Sequence, residues 1–463
     1  MIFDDMDFGS YDKAESKARK AFELYEDGKM SQALNELDTA LEINPSNASW
    51  HFNKALTLDA VDRFEEAIKE YEIALQYNPE DLEILNSLAV DYTRTCQYDL
   101  AIDTFEHIQQ QDPEFEPSYC NRIITYTEMG LHDSAEQMFY MAQQIKPSCA
   151  LCYYNIGNSL FARGQYKKAI QCWQRTAELE SSHPQINYRI GQAHWASGKY
   201  EIAREYFLSE LRLNPGDIDV IFDFGLLLLE MDQIESAKEK FNRILEFDPY
   251  FAPAVFYLGE IAFSNCEYER ASELFYQALE LEDSLQGPRY RLAQYAIMQK
   301  QKTQARSYLV SEIKLALEDG DTLVSMGSMF LAIDEPGLAT HCLLQAIETD
   351  SSNADAYYYL GLASAVRKDF DEATELFTHA LDIRNEHIPT LRDSAVIYLK
   401  ADKINQADER IQKALILEPD ETELKTIEHK IKLARKKEQI KKIVYRFRTD
   451  FISNMTSKFT NPN

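Results

Sequence analysis

The sequence predicts an all-α fold, an α-solenoid built from repeated helix pairs, and three observations predict it. First, a 34-residue step runs along the chain. It joins Pro45, Pro79, Pro113 and Pro147 and continues through Ser181, Pro215, Pro249, Asp283, Leu317, Ser351 and Asn385 to Pro419. Second, one column of that register is alanine in all twelve units: Ala33, Ala67, Ala101, Ala135, Ala169, Ala203, Ala237, Ala271, Ala305, Ala339, Ala373 and Ala407. Third, 15 Gly and 14 Pro in 463 residues are too few for a turn-rich all-β chain. A fixed period of this length marks stacked supersecondary units, each unable to bury its apolar face alone.

With Pro45 set as position 32, the units begin at 14, 48, 82, 116, 150, 184, 218, 252, 286, 320, 354 and 388 and cover 14–421. They are numbered repeats 1 to 12 below. Apolar residues at positions 4, 7, 8 and 11 share one helical face, which predicts the first helix. Position 8 is Gly or Ala in eleven of the twelve units, with Ile123 as the exception. Small residues there let two backbones approach. The turn follows at position 15, where Gly28, Gly130, Gly164 and Gly198 stand. Positions 20, 24 and 27 form the facing stripe of a second helix. Position 24 is aromatic in eight units, namely Tyr71, Phe105, Phe139, Trp173, Phe207, Phe241, Phe275 and Phe377. Position 32 ends that helix, since proline lacks the N–H a helix needs. The turn formers Asn44, Asn78, Asp112, Asn214 and Asp248 precede it. Repeat 9 (286–319) lacks the closing proline, and its turn carries Lys300-Gln301-Lys302, so a local change of pitch is expected there.

Two terminal segments flank the array. Residues 1–13 are acidic, with Phe3, Phe8 and Tyr11 interspersed, and read as an extension that frays or latches onto the first repeat. Residues 422–463 hold eleven basic and four acidic side chains, a formal +7, so the −29 of the whole chain leaves −36 on residues 1–421. Leu424, Ile427, Ile431 and Ala434, then Ile440, Ile443, Phe447, Phe451 and Met455, recur at helical spacing. The first half of this segment is expected to cap the array. Lys436–Phe459 is left to fold back on acidic surface, dock a partner, or lie on an anionic membrane.

In repeat 5, Tyr153, Ile156, Gly157, Leu160, Gly164, Tyr166, Ala169 and Trp173 fall into one pattern. This pattern, with its period, resembles the tetratricopeptide repeat. The resemblance implies a right-handed superhelix of helix-turn-helix units. It also implies a concave face lined by the first helices, with positions 2, 5, 6, 9, 12 and 13 pointing into it. On that face the candidate partner-binding residues are Tyr154, Asn155, Asn158, Phe161, Tyr188, Arg189, Gln192, Trp195, Phe222, Phe256, Phe263, Tyr290 and Arg291. Aromatic anchors beside amides and arginines suit peptide recognition. The same rings could instead pack between adjacent first helices, and the sequence leaves both uses open. Some family members grip acidic C-terminal peptides with a clamp that needs Lys at position 5 and Asn at 6 of the next unit. Here Tyr154 and Arg189 stand there, so that clamp is not implied. Nor is the Asn ladder of repeats attached to O-linked sugar transferases, because only Asn53, Asn121 and Asn155 fit it.

Catalysis is not expected. There is no phosphate-cradling glycine loop and no nucleophile motif, and the nine histidines show no ligand spacing. Cys149-Ala-Leu-Cys152 has the spacing of redox and metal sites, but no second such pair completes a zinc site. Both cysteines are read as small residues at positions 34 and 3, and neither a metal nor a cofactor is expected. Net acidity disfavours nucleic acid, which needs a basic stripe. It favours a protein or peptide partner with basic residues. Membrane contact is expected only through the C-terminal helix, and self-association is open. The acidic start and the lack of a long apolar window suggest a cytoplasmic chain. The function expected is a scaffold or adaptor that holds a peptide in the groove. The alternatives are a tether or assembly subunit acting through the basic helix, and a regulatory subunit of a separate enzyme.

Overall fold

The computed structural model describes residues 8–181, 183–315 and 319–459, with side chains described for 12–181, 183–315 and 319–445. The acidic start at 1–7 and the side chains of Phe8 and Tyr11 lie outside this description, as do those of Phe447, Phe451 and Met455. Among the described residues there are 25 helices and no strand, as an all-α fold requires. The chain forms two compact units, Met1–Ala237 and Lys238–Asn463.

In the first unit, repeat 5 illustrates the construction with helices Ala150–Ala162 and Tyr166–Leu179. Thr176 Oγ1 donates to the Ala150 carbonyl, and Trp173 Nε1 donates to the Tyr154 carbonyl. The rings of Phe161 and Tyr166 stand 5.4 Å apart. Residue numbers rise on one helix as they fall on the other, so the pair is antiparallel. Across repeats the offset is constant instead. Asn121 donates to Asn86, Asn155 to the Cys120 carbonyl and Tyr188 to Asp223, each 35 residues away. Successive first helices therefore run parallel, one repeat plus one residue out of step. The second unit repeats the pairing with Ala252–Ser264 against Tyr268–Leu281, where Phe256 meets Phe275 and Phe263 meets Tyr268.

Packing explains the two small columns. All twelve position-20 alanines are fully buried. At position 8, a Cβ on Gly157 would lie 2.5 Å from Trp173 Nε1, and one on Gly259 would lie 2.6 Å from Phe275 Cε1. The missing methyl makes room for the ring at position 24 of the same repeat. That ring fills the space inside its own helix pair, and Phe139 and Phe207 also reach the next repeat at Tyr153 and Phe224.

The turn at position 15 depends less on residue type than the four glycines suggested. All twelve residues there have positive φ, with Asp62, Cys96, Asp232, Cys266, Lys300, Asp334, Lys368 and Asp402 doing so as non-glycines. In each, the surrounding helices hold a left-handed backbone that L side chains disfavour. Repeat 9 thus keeps the ordinary turn, with Lys300 at φ 61°. Its departure lies at its borders. Its first helix starts only at Pro288, after Gly287 at φ 104°, and its second helix, Lys302–Ile313, has 12 residues where the others have 14. The repeat 5–6 border also lacks the proline, and there Gln185 takes φ 59° before Ile186–Ala196 begins.

Position 34 starts the next first helix. Asn47, Asp81, Asp217 and Asn353 each accept a backbone N–H of the following turn, which satisfies donors the helix leaves unpaired. The last helix, Thr422–Phe459, buries Leu424, Ile427 and Ile431 beside Leu391, Ala395 and Ile411. Arg435 donates to Asp408 at 2.8 Å. Beyond that pair Ile440, Ile443, Val444 and Tyr445 are exposed.

Candidate functional site

Two groups of the thirteen candidate residues come together, one in each compact unit. In the first unit, repeats 5 to 7 contribute the helices Ala150–Ala162, Ile186–Ala196 and Ile218–Glu230. Arg189 Nε donates to the Tyr154 hydroxyl at 3.4 Å and its Nη1 to Gln192 Oε1 at 3.2 Å. Gln192 Nε2 then donates to Asp223 Oδ2 at 2.9 Å, and Tyr188 donates to the same oxygen at 2.8 Å. Burial, reinforced by the Asp223 charge, raises the Tyr188 hydroxyl pKa, so the phenol stays a donor. Trp195 Nε1 donates to Glu230 at 2.8 Å. Tyr154, Arg189, Gln192, Asp223 and Tyr188 thus form one chain of polar contacts across three repeats, beside the separate Trp195–Glu230 contact.

Phe161, Gln192 and Trp195 line an open depression with Ala196, Gly198, Tyr200 and Glu230. Its lining combines three aromatic rings, an amide and a carboxylate. Phe161 and Trp195 are half-buried and rest on Trp173 and Phe207 of their own repeats. Rings supported on one side in this way lose little freedom on binding.

The other candidates of this unit do different work. Asn155 is buried and donates to the Cys120 carbonyl, so its amide ties repeat 5 to repeat 4. Asn158 Oδ1 is buried with no hydrogen-bond partner. Tyr154 packs on His183 at a tilt, with ring centres 4.5 Å apart, and Tyr188 is 8 % exposed against Phe207. Phe222 is half-buried on the repeat 7 helix. Tyr188 thus packs its ring on the second helix of its own repeat, and Tyr154 packs on the connection that follows its repeat's second helix.

In the second unit, Arg291 grips Glu260 with Nε and Nη2 at 2.7 and 2.6 Å, and its Nη1 donates to Gln294 at 3.0 Å. Burial opposes the charge, but the bidentate Glu260 contact outweighs it and keeps Arg291 above its ordinary pKa. The guanidinium lies over Phe263 and Tyr290. Phe256 packs on Phe275, and a Cβ at Gly287 would meet it at 2.7 Å. Arg291 is therefore spent on an internal carboxylate.

Sequence reasoning missed Asp223 and Glu230, although a signal for both existed. Position 5 of one repeat pairs with position 6 of the next, as in Tyr188–Asp223 and Tyr358–Asp393, and position 12 with 13, as in Trp195–Glu230. A 34-residue period read one column at a time hides a 35-residue pairing.

A different cluster lies at the repeat 4–5 border. Glu116, Cys120, Cys149 and Cys152 place one ligand atom each within 4.8 Å of one another. Cys152 Sγ donates to Glu116 Oε1 at 3.1 Å, and Asn155 Nδ2 approaches Cys120 Sγ at 3.5 Å. Among the described residues, no helix is long and apolar enough to cross a membrane.

Comparison with known proteins gives consistent family matches. Models described as tetratricopeptide repeat match residues 154–218, 327–387 and 367–431. A model of the Psidin N-terminal TPR repeats region matches residues 15–148. No curated protein sequence matches significantly. Among solved structures, yeast Tom70 is 14% identical with a TM-score of 0.46, over 84% of this chain and 96% of that one. A tetratricopeptide repeat protein from Parabacteroides merdae is 16% identical at 0.45, over 58% and 99%. The Cut9–Hcn1 assembly of the APC/C is 13% identical at 0.43, over 90% and 96%. With its period, its helix pairs and these matches along much of its length, the chain belongs to the tetratricopeptide repeat family.

Proposed function

We propose that the chain is a non-catalytic scaffold that holds a peptide segment of a partner protein, and that the working surface is the depression on repeats 5 to 7. The observation that carries this reading is the lining of Phe161, Gln192, Trp195 and Glu230. Supported aromatic rings provide apolar area, while Gln192 and Glu230 provide polar contacts at the rim. Glu230 and the −36 borne by residues 1–421 favour a segment carrying Lys or Arg beside an apolar side chain. The test is affinity capture from native lysate with wild type and with Phe161→Ala/Trp195→Ala in parallel. Proteins retained by wild type and lost by the variant, with unchanged far-UV circular dichroism, support the assignment. Identical capture sets refute it. Tyr188 is a poor choice for this test, because it is buried and bonds Asp223.

The exposed stripe Ile440, Ile443, Val444 and Tyr445, flanked by Lys441 and Lys442, favours a second reading, in which the basic end of the last helix tethers the protein. Anionic vesicles should then retain the full chain at low salt and release it when residues 436–463 are removed. Equal sedimentation of both proteins counts against the membrane form of this reading.

A further inference from the structure

We propose that Cys120, Cys149, Cys152 and Glu116 form a tetrahedral site for one zinc ion, pinning repeat 4 to repeat 5. The observation is the convergence of four donors from two repeats. Glu116 and Cys120 lie on the first helix of repeat 4, Glu116–Glu128, one turn apart. Cys149 caps the first helix of repeat 5, Ala150–Ala162, and Cys152 stands in its first turn. Their ligand atoms all lie within 4.8 Å of one another. Tetrahedral zinc with three sulfurs near 2.3 Å sets sulfur–sulfur separations of roughly 3.8 Å. The cluster needs only small side-chain adjustments to reach that geometry, and its span fits a single ion.

The donor types agree with the geometry. Three thiolates and one carboxylate select a soft or borderline divalent ion over magnesium or calcium, which take oxygen. The cysteines are buried, with Cys149 7 %, Cys120 2 % and Cys152 1 % exposed, while Glu116 is half-buried at the mouth. Four anionic ligands around a divalent ion leave a net negative site, and the surroundings offset it. Cys152 N–H donates to Cys149 Sγ at 3.2 Å, and the Asn155 amide approaches Cys120 Sγ. The N-terminal end of the Ala150–Ala162 helix points its positive pole at the site. Outer contacts of this kind orient ligands and hold their charge. Binding displaces the thiol protons to solvent.

The motif escaped sequence reading because its third sulfur lies 29 residues upstream, at position 5 of another repeat. The full reduced chain, stripped of metal by chelator, is titrated with Co²⁺ and then with Zn²⁺. The expected result is one Co²⁺ per chain, with thiolate-to-cobalt charge transfer and a tetrahedral ligand field, bleached by one equivalent of Zn²⁺. Cys120→Ser, Cys149→Ser and Cys152→Ser should each lose stoichiometric binding, whereas Cys172→Ser, outside the cluster, should keep it. Glu116→Gln, at the half-exposed mouth, keeps the thiolate charge transfer and weakens Zn²⁺ binding, because it removes the one oxygen ligand. It does not depend on the tolerance of a buried serine. A reduced wild type that takes up no Co²⁺ overturns the proposal, and so does a spectrum that survives all three serine substitutions.

Discussion

Gly191→Ala puts the packing account to a direct test. The added methyl carbon would lie 2.7 Å from both Cδ1 and Cε1 of Phe207 and 3.4 Å from Tyr206 Cβ. Phe207 is fully buried, so its ring cannot swing into solvent. Two terms compete. Replacing a mid-helix glycine by alanine gains about 1 kcal/mol in helix propensity. Overpacking a filled core loses about 1–3 kcal/mol. Ala55 and Ala89 hold position 8 in repeats whose position 24 is Tyr71 and Phe105, so a shifted ring is attainable and the loss sits near the middle of that range. The net expectation is destabilisation by about 1 kcal/mol. Gly337→Ala is the matched control. It also lies in a helix, Pro336–Thr349, but its Cβ would meet nothing within 4 Å, so the same change should stabilise by about 0.5 kcal/mol. Repeat arrays need not unfold in one step. The assay is therefore native-state hydrogen exchange resolved to the amides of Ile186–Ala196 and Pro336–Thr349, beside urea midpoints. Faster exchange in the first helix and slower in the second is expected. Equal protection gained at both sites would refute the claim that the position-24 ring excludes a methyl at position 8.

Lys300→Gly relieves a left-handed lysine at φ 61°. Relief of about 1–2 kcal/mol against a chain-entropy loss of about 0.5–1 kcal/mol should raise stability slightly, read as a higher urea midpoint. Asp91 is buried with Oδ2 unpaired, and burial, then the Asp59 charge, pushes its pKa up to about 7. Its folded value exceeds its unfolded one, so its contribution is fully present below the unfolded pKa near 4 and is lost as pH rises through 7. Asp91→Asn should flatten that part of the stability-against-pH curve, and an unchanged curve would show that Asp91 does not titrate there. Removing residues 422–463 strips the buried Leu424, Ile427 and Ile431, each worth about 1.5–3 kcal/mol, and should lower the melting temperature, whereas removing 436–463 should leave it nearly unchanged. Equal melting of the two truncated proteins would place the cap elsewhere.

Much of the fold was legible because repetition supplies its own alignment. A column of twelve alanines fixes the register, and every one of them is buried. What escaped depends on relations between columns or on tertiary override. Lys300, Lys368 and Cys266 give no sign of a left-handed turn, since packing of the flanking helices imposes it. Asn155 looked like a groove amide, but the 35-residue offset turns it back onto Cys120. At the candidate site, Phe161, Gln192 and Trp195 emerged from their columns, while Glu230 did not, because its signal lies in the pairing of position 12 with position 13 of the next repeat. Cys120 was invisible for a related reason, since Cys149 and Cys152 stand at the start of the next first helix.

The constant offset between neighbouring first helices has a consequence for how such a chain changes length. Loss of one whole repeat moves every downstream residue by one period and leaves column identities intact. If repeat 6 were excised, Tyr154 would face Asp223 at the offset that Tyr188 now occupies, and a tyrosine–carboxylate strut of the same kind would form. Phe161 would come beside Glu230 in place of Trp195, keeping an aromatic wall but losing an indole donor. Unequal recombination within such a gene can thus yield shorter or longer arrays with working seams, and the chemistry at each seam is set by whichever two columns meet.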